Sequence, residues 1–200
     1  MDEAAVTDFQ FELKGTLLPK DHGYALFLAL LEFLPWIGDE ALLGIHPIQG
    51  ALLGDGQLML NRRGKLVFRV PRVRVKELLS LTGKEFWIAG NSFAIGMGKL
   101  RPLSWHTPLY AHCVTTGHED ERLFTQAILD ELDTYKIDSR FICGKRQILT
   151  TAQGVESGYS LMLHGLPMEH ALQIQEQGLG THRKLGCGIF IPHKSIVAVS

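Results

Sequence analysis

The stretch GLGTHRKLGCG, from Gly178 to Gly188, sets two Gly-X-Gly pairs around a basic centre. Gly178, Gly180, Gly186 and Gly188 have no Cβ, so they tolerate positive φ and let another backbone approach closely. Consecutive exposed N–H groups in such a loop can form an anion-binding concavity. His182, Arg183 and Lys184 would add charge at its tip, and the chemistry this suits is the holding of phosphate. Two other phosphate loops do not fit. A dinucleotide loop needs G-x-G-x-x-G after a strand and opening a helix, whereas this spacing follows a helical pattern and precedes a strand pattern. A Walker loop needs Gly-Lys-Ser/Thr, which is absent. The competing reading is that the glycines only make tight turns; their symmetry about a basic centre favours phosphate.

A second basic stretch, NRRGKLVFRVPRVRVK, carries Arg62, Arg63, Lys65, Arg69, Arg72, Arg74 and Lys76, with no acidic residue until Glu77. Such a run is commonly a solvated face. Arg72, Arg74 and Lys76 alternate, however, and on an extended segment would share one side and suit a row of phosphates. Lys145 and Arg146 fall in a hairpin of the second half, and Arg101 lies near the middle of the chain.

The bulk numbers are neutral on function. The 200 residues carry a net charge of -1, so a nucleic-acid partner has to be argued from local patches. With 46% hydrophobic and 20% charged residues the chain supports a packed core. The longest apolar run, Tyr24 to Ile37, is interrupted by Glu32 and Pro35 and is shorter than the ~20 residues of a membrane span. Cys113, Cys143 and Cys187 are odd in number and widely spaced, which suggests a reducing cytoplasm and neither a disulfide framework nor a zinc site. His112 and His118 lack partners at metal-ligand spacing, so no metal and no cofactor is expected.

The elements that must position these residues read twice in the same order. FQFELKGTLL alternates as a strand. Asp21 can cap a helix whose apolar residues run from Ala25 to Leu34, with Pro35 helping to end it. GIHPIQGAL and GQLMLNRRGKLVFRVP read as strands, RVKELLSLTG as a short helix, and EFWIAGNSFAIGMGKLRPL as strand. PLYAHCVTT opens the second round. EDERLFTQAILDELDTYKI is an amphipathic helix with Leu123, Phe124, Ala127, Ile128 and Leu132 on one face. SRFICGKRQILTT and ESGYSLMLHGL pair as strands, PMEHALQIQEQG is a helix, and GCGIFIPHKSIVAV closes as strand. The fold expected is α+β, two tandem ferredoxin-like (RRM-like) βαββαβ units packed side by side, residues 1–104 and 105–200.

The loop from Gly178 to Gly188 resembles the C-terminal glycine-rich motif of the CRISPR precursor-RNA processing endoribonucleases, RAMP proteins of the sixth CRISPR-associated family. LPKDHGYALFLALLEFLPWI, GIHPIQG and LQIQEQGLGTHRKLGCGIFIP are similar to the compact form of that family found in the myxobacterial-type variant of type I systems. The resemblance covers most of the chain. It implies metal-independent cleavage of repeat RNA by attack of a ribose 2′-OH, giving a 2′,3′-cyclic phosphate and a 5′-OH. Such chemistry needs a base, an acid and positive charge on the phosphorane. It also implies retention of the mature crRNA and assembly with other CRISPR effector subunits.

Histidine suits proton transfer because its ordinary pKa, ~6.5, lies near working pH. In the family the catalytic histidine often sits at the first strand–helix junction, the place of His22, with Tyr24 two residues on to share a proton or orient phosphate. His46 is the rival. As the start of a second strand it would lie at the opposite end of the sheet from His22. His182 could touch phosphate or be plain surface. The RNA-binding set expected is Gly178, Gly180, His182, Arg183, Lys184, Gly186 and Gly188 of the loop with Arg62, Arg63, Arg69, Arg72, Arg74 and Lys76 of the basic segment. The A-form stem would be read by shape and backbone. Rival readings are a crRNA-binding subunit without catalysis and a small-molecule enzyme on the same scaffold.

Overall fold

The computed structural model describes residues 5–61 and 64–194. Two antiparallel sheets carry the two halves, with a small third sheet beside the first. The strands, in chain order, are β1 (Val6–Lys14), β2 (Leu17–Pro19), β3 (Gly44–Ile45), β4 (Ala51–Leu52), β5 (Gln57–Met59), β6 (Lys65–Pro71), β7 (Glu85–Ile88), β8 (Asn91–Arg101), β9 (Leu109–Val114), β10 (Arg140–Thr151), β11 (Gly154–His164) and β12 (Ile191–Pro192). The helices are α1 (Gly23–Leu31), α2 (Val75–Leu78), α3 (Glu121–Thr134) and α4 (Met168–Gln177).

The first sheet runs β3-β6-β1-β8-β7 and the second β10-β11-β9-β12. Taking β3 and β6 as the middle hairpin of the first unit, both sheets have the order second, third, first, fourth, which is the ferredoxin-like arrangement. β7 is an added edge strand. Each unit has its own core. Phe11, Phe68 and Phe93 pack under Leu26 and Leu30 of α1 in the first. In the second, Phe124, Ile128 and Leu132 of α3 descend at intervals of four onto Leu161 and Phe190. Each fully buried Leu or Phe contributes ~1.5–3 kcal/mol. Asp120 caps α3 by accepting the main-chain N–H of Arg122 and Leu123.

Three elements differ from the sequence reading. The first strand breaks at Gly15, where a Cβ would overlap the Phe93 ring, and the chain continues as β2 in the three-stranded sheet β2-β5-β4. Asp21 does not cap α1. Its Oδ2 accepts the Thr150 N–H at 2.8 Å and the Thr150 hydroxyl at 2.7 Å, joining the first unit to β10. The last segment is strand only over Ile191–Pro192; Gly186 to Phe190 is a buried loop, and residues 195–200 lie outside those described.

Candidate active site

A cleft of about 460 Å³ lies between the units. The turn from β2 into α1 contributes Lys20, Asp21 and His22, and the end of β3 contributes His46. From the second unit come His112 on β9, Arg146 on β10 and Lys184 of the glycine loop. Three imidazoles and three cations thus border one space.

His22 is buried, and its partners fix its tautomer. Nδ1 lies 3.0 Å from the Pro19 carbonyl oxygen and 3.1 Å from that of Lys20, both of which only accept. Nε2 in turn accepts the Ile48 main-chain N–H at 3.0 Å. The ring is therefore neutral with its proton on Nδ1. Burial pushes its pKa below the ordinary imidazole value, against the opposing pull of the two carbonyls.

His46 stands near His22 and not at the far end of the sheet. β3 ends at Ile45, so His46 is already past the strand, where the chain turns back to deliver the Ile48 amide to His22. Its Nε2 is 3.4 Å from Asp8 Oδ1, a charge contact without hydrogen-bond geometry. Burial lowers its pKa, while Asp8 pulls the other way.

Arg69 is not on an RNA-facing surface. It is 1% exposed. Its Nε and Nη2 grip the Asp8 carboxylate at 2.8 and 3.1 Å, and Nη1 reaches the carbonyls of Gln175 and Phe190 in the second unit. Burial would raise the Asp8 pKa, but His46 and Arg69 together hold it well below the usual carboxylate range. The pair is an internal joint between the halves.

The rest of the basic segment does not form the expected stripe. Pro71 ends β6, and Arg72 to Leu78 wind into helical turns, so Arg72, Arg74 and Lys76 do not alternate along a strand. Arg74 pairs with Glu77 at 2.9 Å and Glu40 at 3.5 Å, and covers the Trp36 ring. Arg62 and Arg63 lie outside the described residues.

The glycine loop is also built differently from a phosphate cradle. Its four glycines all have positive φ, between 64° and 96°, but their N–H groups are already used. Gly178 donates to the Ile174 carbonyl, Gly186 to Arg183 and Gly188 to Cys113. Gly180 donates to Glu131 Oε2 at 2.8 Å. Their second role is close approach: a Cβ on Gly180 would overlap the Thr115 carbonyl oxygen, and one on Gly186 would press on Pro47 at 3.2 Å. His182 Nε2 lies 3.0 Å from the Glu156 carboxylate, Arg183 turns back to cap the carbonyls of Glu176 and Gln177, and Lys184 reaches the Gly38 carbonyl. Burial lowers the Arg183 pKa to about 10. The loop is a wedge that docks on Gly23 at the start of α1, where a Cβ would overlap the Leu185 carbonyl.

Tyr24 points elsewhere. It lines a neighbouring cavity of about 480 Å³ with Phe27, Leu43 and Thr151, and Lys184 and Leu185 border both spaces. Lys20, His112 and Arg146 are cleft residues that the sequence reading left out of the site. The only signal for His112 was its place as a polar residue between the buried Ala111 and Cys113 of β9; nothing local marks it as facing Lys20. Among the described residues no group of three His, Cys, Asp or Glu side chains is arranged to hold a metal ion.

Comparison with known proteins places this geometry in context. The pattern of the Cas6 Crispr family matches residues 7–195. The chain is 34% identical over 186 residues to the CRISPR-associated endonuclease Cas6 of Myxococcus xanthus, covering 92% of this chain and 80% of that one. Its fold is similar to a RAMP protein binding different RNA substrates, with a TM-score of 0.69 at 16% identity over 94% of this chain and 100% of the other. A Cas6-related protein from Pyrococcus furiosus superposes with a TM-score of 0.67 at 15% identity, covering 92% and 97% of the two chains.

Proposed function

The chain belongs to the Cas6 family of CRISPR proteins, and from that membership we propose that it is an endoribonuclease that binds CRISPR repeat RNA and cuts precursor transcripts in the cleft between its two halves. The observation that carries this reading is the gathering of His22, His46 and His112 with Lys20, Arg146 and Lys184 around one opening. The imidazoles are suited to moving a proton. The cations are suited to a phosphodiester and to the extra charge of its pentavalent transition state. The two ferredoxin-like units, divided near residue 104, each contribute one wall.

In this reading the ribose 2′-OH upstream of the cut attacks the scissile phosphate without a metal. The products are a 2′,3′-cyclic phosphate and a 5′-OH, and the enzyme keeps the mature crRNA and carries it to partner subunits in the cytoplasm. General acid–base assistance supplies ~10²–10⁴-fold of the rate. His22 is the candidate that its place in the sequence singles out. Its Nε2 accepts the Ile48 amide and would have to be released from it to take a proton. The exposed Arg146 is held by Glu119 at 3.0 Å, a pair that a phosphate can exchange into.

The saturated hydrogen bonding of His22 favours a second reading, in which the chain holds crRNA without cutting it. Incubation of the full chain with repeat RNA in EDTA separates the two. Cleavage by the wild type, stopped by a 2′-deoxyribose at the attacking position, supports the enzyme. Tight binding with intact RNA supports the second reading.

A further inference from the structure

Two of the three imidazoles bordering the cleft are already committed. His22 has both nitrogens engaged by main-chain groups, and His46 is turned to the buried Asp8. His112 is different. It sits on β9 between buried Ala111 and buried Cys113, so strand alternation turns its side chain outward, and it is exposed. It has no hydrogen bond to any described residue, and it lines the cleft together with Lys20 and Arg146.

Resting on the endoribonuclease reading above, we propose that His112 is the general base of the cleft, with Lys20 beside it to balance charge on the phosphorane. The ribose O2′–H bond breaks and its proton passes to the open imidazole nitrogen of His112. The O2′–P bond forms and the P–O5′ bond breaks. The leaving O5′ takes a proton from water, and the imidazolium neutralises the hydroxide so formed, so protons and charge balance over one turnover. His22 is then a positioning residue. Its ring pins the Ile48 amide and the Pro19 and Lys20 carbonyls, and so sets where Lys20 stands.

The electrostatic surroundings suit a base. Although its side chain is open to the cleft, desolvation by the surrounding cleft walls and the Lys20 charge both hold His112 below its ordinary pKa, the direction that suits a base. The charged and titratable groups lining the cleft with it are Lys20, Asp21 and His22 from the β2–α1 turn, His46 after β3, Cys113 on β9, Arg146 from β10, and Lys184 and Cys187 from the glycine loop. Asp21 is occupied by Thr150 and so does not compete for the imidazole.

Single-turnover cleavage of RNA transcribed from the host CRISPR repeat, across pH 5 to 8, tests this. Affinity is read in parallel on the same RNA with 2′-deoxyribose at the attacking position. The wild-type rate should rise with pH through a limb below ~6.5 and then level. His112→Ala and His112→Gln should bind as the wild type does, cut ~10²-fold or more slowly and lack that limb; added imidazole should restore part of the rate to His112→Ala. Variants that cut at the wild-type rate, keep the limb, or lose binding in proportion to cleavage would overturn the role of His112 while leaving the enzyme reading intact. A wild-type chain that binds the repeat but never cuts it would overturn both.

Discussion

Gly178 and Gly188 stand back to back: a Cβ on the first would overlap the carbonyl oxygen of the second, and one on Gly188 would overlap that of Leu179. Both have positive φ, 72° and 64°. Gly178→Ala should therefore cost ~2 kcal/mol or more, since left-handed backbone alone costs a side chain ~1–2 kcal/mol and a main-chain oxygen cannot swing aside. In a chain of this size that lowers the melting temperature by about 4 °C or more. Gly56→Ala, at φ 77° with nothing within 4 Å, provides the control and should lose only the ~1–2 kcal/mol of the backbone itself. Equal losses at the two positions would mean that close approach is not what the loop glycines provide.

Arg69→Ala should destabilise the protein by ~3–5 kcal/mol in denaturant unfolding, because it leaves Asp8 buried without its cation. Repeat-RNA affinity measured under folded conditions should fall only as far as the joint between the halves loosens. A large loss of affinity with unchanged stability would return Arg69 to the RNA surface.

His22→Ala and His112→Ala should part company on stability. Removing the His22 ring orphans the Ile48 N–H and two carbonyl acceptors, at a cost of ~1–3 kcal/mol. Removing the exposed His112 should leave the melting temperature where it was. Both should slow cleavage. The comparison is a pair of thermal melts beside a pair of single-turnover rates.

The pH dependence of stability should have two steps. His22, His46 and His112 all have folded pKa values below the ordinary imidazole value. The unfolded chain therefore binds more protons as pH falls through ~6.5, and stability declines from there downward. Asp8 is depressed in the fold, so its contribution is full above ~4 and is lost as pH falls below it. His46→Gln should remove part of the first step and shrink the second, because His46 helps Arg69 hold Asp8 down; both are read from urea midpoints between pH 3 and 8.

RNA affinity should depend on salt through the cleft and not through Arg74. Each phosphate contact contributes a slope of ~0.7 on single strands. Lys20→Gln and Arg146→Gln should each lower the slope by about that amount. Arg74→Gln should not change it, because Glu77, Glu40 and Trp36 already occupy that side chain.

What was legible in the sequence was whatever depends on local periodicity. Phe124, Ile128 and Leu132 announce α3 and its buried face, and the three strand-like runs that became β9, β10 and β11 give the second sheet. What depends on long-range contact was not. Arg69 lies in a run of basic residues, and only the arrival of Gln175 and Phe190 over its side of β6 makes it an interior residue. Arg72 and Arg74 alternate on paper, but Pro71 stops the strand before the alternation can act. The nearness of His46 to His22 hangs on β3 being only two residues long, which no pattern within GIHPIQG reveals. The glycine motif stood out in the sequence for a reason other than the one its composition suggests: its amides face inward, to Ile174, Glu131 and Cys113.

The wedge against Gly23 also orders events in time. The start of α1 is synthesised well before the Leu185 carbonyl that seals it. A nascent chain can complete the first core, yet the cleft stays without one wall until the glycine loop has been made. Translation products that stop short of that loop therefore lack the wall it provides.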